Sequence, residues 1–408
     1  MEFVELDEKK YYKFWDNHPL KTFLSSIEIG SLRKENGWNV DYVGIVDNKK
    51  ILGATMLVSK KRRFGKYEFY SPRGFLIDFS NYELVDYFVK ELKKYIKEKK
   101  GYILRIDPYV IYKQRNIDGD IVENGVDNSC VVSHLQQLGF KKVPIKDMEQ
   151  VGWMFSLDLE GKSEEDIFNE MKPNTRNTIR KAEKLGIEMK ELEIDDLDEF
   201  MNIMEETGAR KGFDVRNIDY YKNMYKLFSG DNEVKFYITK LNLRNYIDNL
   251  KEEVKDKETK KNELGPQAYN DGKRKSFTQE IENLNKRINE AEEIIKEKNT
   301  EVINLSGSMF MLIKPEVVYL SSGNYEEFMK FNSQYLIQWE LIKYGIKNGF
   351  SKHNFYGIPA NINEHPKDYG IYEFKRGFNG VVEELIGEFE LPITFHYQII
   401  KLIRKIKK

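Results

Sequence analysis

The chain has 408 residues, a formal net charge of −1 and 33% charged residues. That length predicts two or three domains with well-filled cores, and the charge balance excludes a global basic field that would hold nucleic acid non-specifically. The single cysteine, Cys130, excludes an internal disulfide framework and fits a reducing compartment.

In chain order, the charged and aromatic first 16 residues lack the apolar core of a signal peptide. Residues 40–46 and 51–58, on either side of Asp47-Asn48, read as a β-hairpin, and 67–70 as a strand running into Ser71-Pro72-Arg73-Gly74. An amphipathic helix follows over 82–99, with Leu84, Phe88, Leu92, Tyr95 and Ile96 on one side, and then a strand over 102–106 that stops at Asp107-Pro108. This order is similar to that of a Gcn5-related acyltransferase. It starts again after Gly152, with a strand over 153–159, a helical region over 163–185, a helix over 195–211 and a strand over 234–241.

A charged heptad hairpin interrupts this second half. Phe277, Ile281, Leu284, Ile288, Ala291 and Ile295 recur at alternating four- and three-residue steps, a seam that packs one helix against another. Ile247, Leu250 and Val254 face it from the first limb, and Gly265-Pro266 with Asn270-Asp271-Gly272 reverses the chain. Limbs of roughly 25–30 residues make an arm about 35–45 Å long. Its acidic and basic residues nearly balance, so contact by shape, or docking of a protein, fits it better than a clamp on nucleic acid by charge. A strand over 301–313, a long helix over 328–348, a strand over 354–358, a segment 372–378 and a strand over 381–388 complete the body.

At the end, Phe395, Tyr397, Ile399, Ile400, Leu402, Ile403 and Ile406 interleave with Lys401, Arg404, Lys405, Lys407 and Lys408. That helix reads either as one lying on anionic lipid or as one docked on the body with a solvated basic face. No window reaches the roughly 18–20 apolar residues that cross a bilayer, so a cytoplasmic, soluble protein is expected.

The expected fold class is therefore mixed α/β (α+β): two acyltransferase-like subdomains with an inserted antiparallel helical coiled-coil arm. The divisions are 1–150 for the first subdomain, 151–240 with 300–391 for the second, 241–299 for the arm and 392–408 for the basic helix.

The sequence has no Walker loop, no dinucleotide-binding glycine motif and no nucleophile elbow, and its five histidines lack metal-ligand spacing. Positioned charges remain. They lie in the basic run Arg176 to Gly186, in Arg210-Lys211-Gly212-Phe213 up to Arg216, and in the turn-like Phe374-Lys375-Arg376-Gly377-Phe378-Asn379-Gly380.

Together with Tyr70-Ser71-Pro72-Arg73-Gly74, Arg105-Ile106-Asp107-Pro108-Tyr109, Tyr220-Tyr221 and Tyr335 to Trp339, these runs resemble, in their order, the Fem-type tRNA-dependent aminoacyltransferases, the MurM/FemA group that builds peptidoglycan interpeptide bridges. The resemblance spans almost the whole chain. It implies transfer of an amino acid of the Gly, Ala or Ser class from aminoacyl-tRNA to the stem-peptide side-chain amine of lipid II, with no cofactor besides that co-substrate.

The resemblance also assigns residues. Lys375 stands for the cation near the reacting carbonyl, with Phe374 beside it on the substrate, and Asp107 for the carboxylate that accepts or orients the amine proton. Arg210 matches the arginine that anchors the acceptor phosphates, and Arg33 takes the place of its usual lysine partner. Here Ser25-Ser26-Ile27-Glu28-Ile29 replaces the family's Gln-Ser-x-x-Trp element. Tyr325 matches a site tyrosine. Two other readings stay open: aminoacyl transfer to a protein N-terminus, and a non-catalytic scaffold at the membrane. An acetyl-CoA transferase is disfavoured because the pyrophosphate-binding loop of such enzymes is missing.

Overall fold

A computed structural model describes residues 1–264, 267–360 and 366–406. Gly265-Pro266, His365, Lys407 and Lys408, which entered the expectations above, lie outside the described residues.

The first half runs β1 (Glu2–Glu5), α1 (Glu8–Asp16), α2 (Ile27–Glu35), β2 (Asn39–Asp47), β3 (Lys50–Lys61), β4 (Tyr67–Ser71), α3 (Tyr82–Glu98) and β5 (Gly101–Ile106). It continues through β6 (Ile111–Gln114), α4 (Ser129–Gln137) and β7 (Lys141–Lys142). The second half opens with β8 (Trp153–Asp158), α5 (Glu164–Glu170), α6 (Pro173–Lys184), β9 (Glu188–Glu191), α7 (Leu197–Lys211), α8 (Ile218–Phe228) and β10 (Val234–Asn242). The arm helices are α9 (Leu243–Asn262) and α10 (Asp271–Lys298). The chain then follows β11 (Val302–Ile313), β12 (Glu316–Asn324), α11 (Ser333–Lys347), β13 (Lys352–Gly357), α12 (Pro366–Arg376), β14 (Val381–Leu385), β15 (Phe389–Pro392) and α13 (His396–Ile406).

Among the described residues the strands form two mixed sheets, one ordered β1-β2-β3-β4-β5-β15-β7 and the other β6-β14-β8-β13-β12-β11-β10-β9. This is the mixed α/β architecture expected from the sequence. The two sheets exchange strands. β6, from the first half, pairs with β14, and β15, from the end of the second half, pairs with β5 through Phe389 opposite Ile106 and Pro392 opposite Ile103. The expected division at residue 150 takes no account of this exchange.

Its local cause is Gly387, which turns the chain at φ +98°, so that the expected strand over 381–388 stops at Leu385 as β14 and β15 begins beyond it, in the other sheet. Buried Arg105 then fastens the graft, donating from Nε to Glu388 Oε1 at 3.0 Å and from Nη1 to Glu149 Oε1 at 2.5 Å.

The helical expectations differ in two further places. The region 163–185 breaks before Pro173, which opens α6 at its first position, where a missing N–H does no harm. The long helix expected over 328–348 divides at Asn332, held at φ 54° between a short 3-10 segment and α11.

One face of the first sheet packs on α3 and α4 through Phe69, Leu104, Phe88 and Leu135. The other face is shared by α1 and α2 at one end and α13 at the other. The arm seam closes where expected, with Leu243, Tyr246, Ile247 and Leu250 buried against Leu284, Ile288 and Ala291. Phe328, Phe331 and Leu336 continue that cluster, so the root of the arm is fixed to the second half.

Candidate active site

The site is built at the ends of two strands that face each other across the seam between the halves. β5 ends at Ile106, and the next residue, Asp107, is buried. Asp107 Oδ1 accepts from Tyr70 Oη and from the backbone N–H of Arg73, each at 2.9 Å. Oδ2 is 3.5 Å from Arg73 Nη1, an ion-pair distance, and has no hydrogen-bond partner among the described residues. Burial pushes the Asp107 carboxyl up to about 6, against the pull of the Arg73 guanidinium.

Arg73 is the residue that sequence reasoning left without a role. Its backbone is left-handed at φ 50°, a conformation seldom held by a long side chain unless the surroundings impose it. Gly74 is part of that imposition. A Cβ there would lie 1.8 Å from Ser71 Oγ and 2.7 Å from Thr55 Oγ1, so only glycine lets the turn close over the buried Thr55–Ser71 hydroxyl pair. The Arg73 guanidinium then reaches across the seam, donating from Nη2 to the Val151 carbonyl at 2.9 Å and lying 5.7 Å from the centroid of the Tyr109 ring. In hindsight the signal was the Ser-Pro-Arg-Gly turn directly after an apolar strand.

Lys375 approaches from the second half. It sits in the last turn of α12 rather than in a glycine-rich turn, which begins only at Gly377. Pro366 at the helix start and Gly370 inside it obscure that helix in the sequence. Lys375 is buried and donates from Nζ to the Gly357 carbonyl at 2.6 Å. Burial lowers its ammonium to about 7. Gly357 packs on Val151, whose Cγ1 lies 3.3 Å from where a Cβ on Gly357 would stand. Asp107, Arg73, Val151, Gly357 and Lys375 therefore form one contiguous path across the seam.

Tyr356, beside Gly357, is a second left-handed side chain at φ 63°. It is close enough to Arg73 and to Tyr220 of α8 to influence both electrostatically. Tyr220 also feels Arg33 and Arg216, so Arg33 shares this mouth. Arg33 lies in the last turn of α2, whose N-cap is Ser26, and its guanidinium is 5.3 Å from the Trp38 ring centroid. Lys60 and Arg62 crowd the same ring at 5.3 Å and 5.8 Å. The departure at 25–29 thus builds the cap and first turn of the helix that carries the cation.

Arg210 and Tyr325 lie together where α7 meets the end of β12. Arg210 Nη2 reaches the Asn324 carbonyl at 3.5 Å, and its buried Nε has no hydrogen-bond partner among the described residues. Tyr325 follows directly, half-buried, with its hydroxyl raised by burial and by Glu206, Glu199 and Glu327. Phe374 stacks edge-on to Tyr335 at 4.7 Å and to Phe378 at 5.6 Å in the second half's core. Trp339 is core as well, and Arg180 of the basic α6 run covers Phe168 at 5.0 Å.

Below Tyr109 the halves are locked by a polar network. Tyr109 donates to Glu316 Oε1 at 2.8 Å, and Lys352 Nζ is 2.5 Å from the same carboxylate and 3.1 Å from Glu383. A small cavity lined by Arg73, Tyr109, Met154, Glu316, Asn354 and Tyr356 lies at this junction.

A family model described as the FemAB family matches residues 6–405 of this chain. An aminoacyltransferase FemB of Staphylococcus epidermidis is 31% identical over 403 residues, covering 97% of this chain and 95% of that protein. An aminoacyltransferase FemA of Staphylococcus aureus is 30% identical over 423 residues, covering 100% of this chain and 99% of its own. The crystal structure of FemX superposes with a TM-score of 0.75 at 23% identity, covering 99% of this chain and 100% of that one, and shares the fold.

Proposed function

The chain belongs to the FemAB family, and from that premise we propose that it transfers an amino acid of the Gly, Ala or Ser class from aminoacyl-tRNA to the stem-peptide side-chain amine of lipid II. It is an aminoacyltransferase, as its full-length relatives are named. The observation that carries the finer reading is the contact path from Asp107 through Arg73, Val151 and Gly357 to Lys375 across the seam.

The reaction is aminolysis of an ester. The amine nitrogen attacks the aminoacyl carbonyl, a C–N bond forms, the C–O bond to the ribose breaks, and the proton lost by nitrogen ends on the ribose oxygen. An attacking amine becomes strongly acidic once bonded to the carbonyl carbon. Asp107 offers it Oδ2, which accepts no hydrogen bond among the described residues, with a carboxyl near pH 6 that is ionised at neutral pH yet basic enough to take part. Among the described residues Lys375 uses one N–H, on Gly357, which leaves its ammonium two donors for the oxyanion. A site at about 7 keeps the charged form accessible while a dry environment strengthens it.

Arg33 and Arg210 are the cations for the acceptor's diphosphate, Tyr325 borders Arg210, and Phe374 backs the lysine from the core. No resident cofactor enters the scheme. The lipid-linked acceptor brings the protein to the inner face of the membrane, and among the described residues no helix is long and apolar enough to cross it.

The test is transfer of a labelled amino acid from charged tRNA to lipid II by the purified protein. Absence of transfer with glycyl-, alanyl- and seryl-tRNA alike sinks the proposal.

A further inference from the structure

The face of the first sheet that carries Tyr70 and Arg105 is covered at its far end by α13, which buries Tyr397 and Ile400 on Tyr102 and Ile103. The opposite side of that helix has no cover among the described residues. Phe395, Ile399 and Leu402, spaced four and three apart, are 69%, 42% and 61% exposed.

Cations lie close to this helix. Lys141 Nζ lies 5.3 Å from the Tyr397 ring centroid, and Lys146 lines, with Pro144, Asp147, Glu149 and Glu390, the groove beside α13. The β3–β4 hairpin, Lys60-Lys61-Arg62-Arg63-Phe64-Gly65-Lys66, carries five cations in seven residues. Its tip residue Phe64 is 62% exposed.

Contacts tie that hairpin to α13. Arg62 Nε donates to Glu68 Oε2 at 2.9 Å, Tyr102 Oη donates to the same oxygen at 3.4 Å, and Tyr102 carries Tyr397 and Ile400. Tyr67 N–H donates to the Lys100 carbonyl at 3.1 Å, which brings exposed Lys100 to the same end of the sheet.

We propose that the outer face of α13, with the Phe64 hairpin and Lys141 and Lys146 as its rim, docks on an anionic phospholipid bilayer. Apolar side chains on one face of a helix with lysine and arginine alongside suit the headgroup–acyl boundary, where the stripe inserts and the cations meet lipid phosphates. An RNA backbone would use the cations but leave the Phe395, Ile399 and Leu402 stripe in water. The inference rests on the proposed lipid-linked acceptor for one point. Arg33, the cation assigned to its diphosphate, shares the Trp38 ring with Lys60 and Arg62 of the hairpin, so phosphate site and docking face are contiguous.

Co-sedimentation of the full chain with vesicles, without tRNA or acceptor, tests this. The wild type binds phosphatidylglycerol-containing vesicles, binds pure phosphatidylcholine vesicles far less, and is released by salt. Ile399→Ser with Leu402→Ser, and separately Lys61→Glu with Arg63→Glu, each lower vesicle affinity about tenfold or more. Both variants keep the wild-type rate on a soluble acceptor without the lipid tail. A wild type indifferent to phosphatidylglycerol, variants that bind vesicles like the wild type, or variants that lose uncharged tRNA instead of vesicles overturn the proposal. Vesicle binding without transfer to either acceptor upholds the docking face and refutes the function above; transfer to lipid II without vesicle binding does the reverse.

Discussion

Arg73 donates its backbone N–H to Asp107 Oδ1 at 2.9 Å while its guanidinium stands 3.5 Å from Oδ2, so one residue both orients the carboxylate and moderates its basicity. The same side chain holds the Val151 carbonyl on the other side of the seam. The state of Asp107 is thereby tied to the closure of the two halves.

Asp107→Asn removes the proton acceptor and keeps its shape. Transfer falls roughly 10²–10⁴-fold. The wild-type rate rises with pH through the Asp107 ionisation at about 6, and that acidic limb disappears in the variant. Arg73→Ala moves the limb to higher pH, because loss of the neighbouring guanidinium removes the largest pull against burial. A pH–rate profile of kcat checks both.

Lys375→Met separates activity from stability. Transfer drops by about 10²–10³, the effect of losing a donor to the oxyanion. The wild-type ammonium is lowered from 10.5 to about 7, so between those values the unfolded chain binds a proton that the folded chain does not. Stability from this group therefore rises with pH across that window and is penalised below it, by at most about 5 kcal/mol. Denaturant titrations at pH 7 and pH 10 show a smaller pH dependence in the variant than in the wild type. An unchanged difference shows that the lysine is not held in its buried state.

Gly74→Ala places a methyl group against the hydroxyls of Ser71 and Thr55. A loss of about 1–3 kcal/mol is expected from overpacking, with a fall in transfer beyond what the lost folded fraction explains. The excess arises because the Arg73 turn must shift. Thermal unfolding and the rate per folded molecule, measured on the same sample, separate the two effects.

Arg33→Ala and Arg210→Ala each raise the KM for the phosphate-bearing acceptor about 10–100-fold, from roughly 1.5–3 kcal/mol of charge-assisted hydrogen bonding. The KM for aminoacyl-tRNA stays put. A shift in the tRNA term instead reassigns the two arginines to the donor.

Much of this was readable from local pattern. The apolar runs at 40–46 and 51–58 either side of a turn and the heptads of 277–295 name their own elements, because each pairs with a neighbour close in sequence. The strand exchange is not of that kind. Phe389-Glu390-Leu391-Pro392 is four residues long, and its pairing is decided by the open edge of β5. The site divides the same way. Asp107 and Lys375 were visible through a resemblance, whereas the role of Arg73 depends on a left-handed backbone and on Val151, which is 78 residues away.

The strand graft also sets a clock for biosynthesis. Arg105 and Glu388 are 283 residues apart, and at roughly 5–20 residues per second the ribosome needs about 15–60 s to deliver β15 after β5 has emerged. Throughout that interval the nascent first sheet presents the bare edge of β5, a template for pairing with a neighbouring chain. Slow codons or a stalled ribosome downstream of residue 106 thus carry an aggregation risk that delivery of β15 removes.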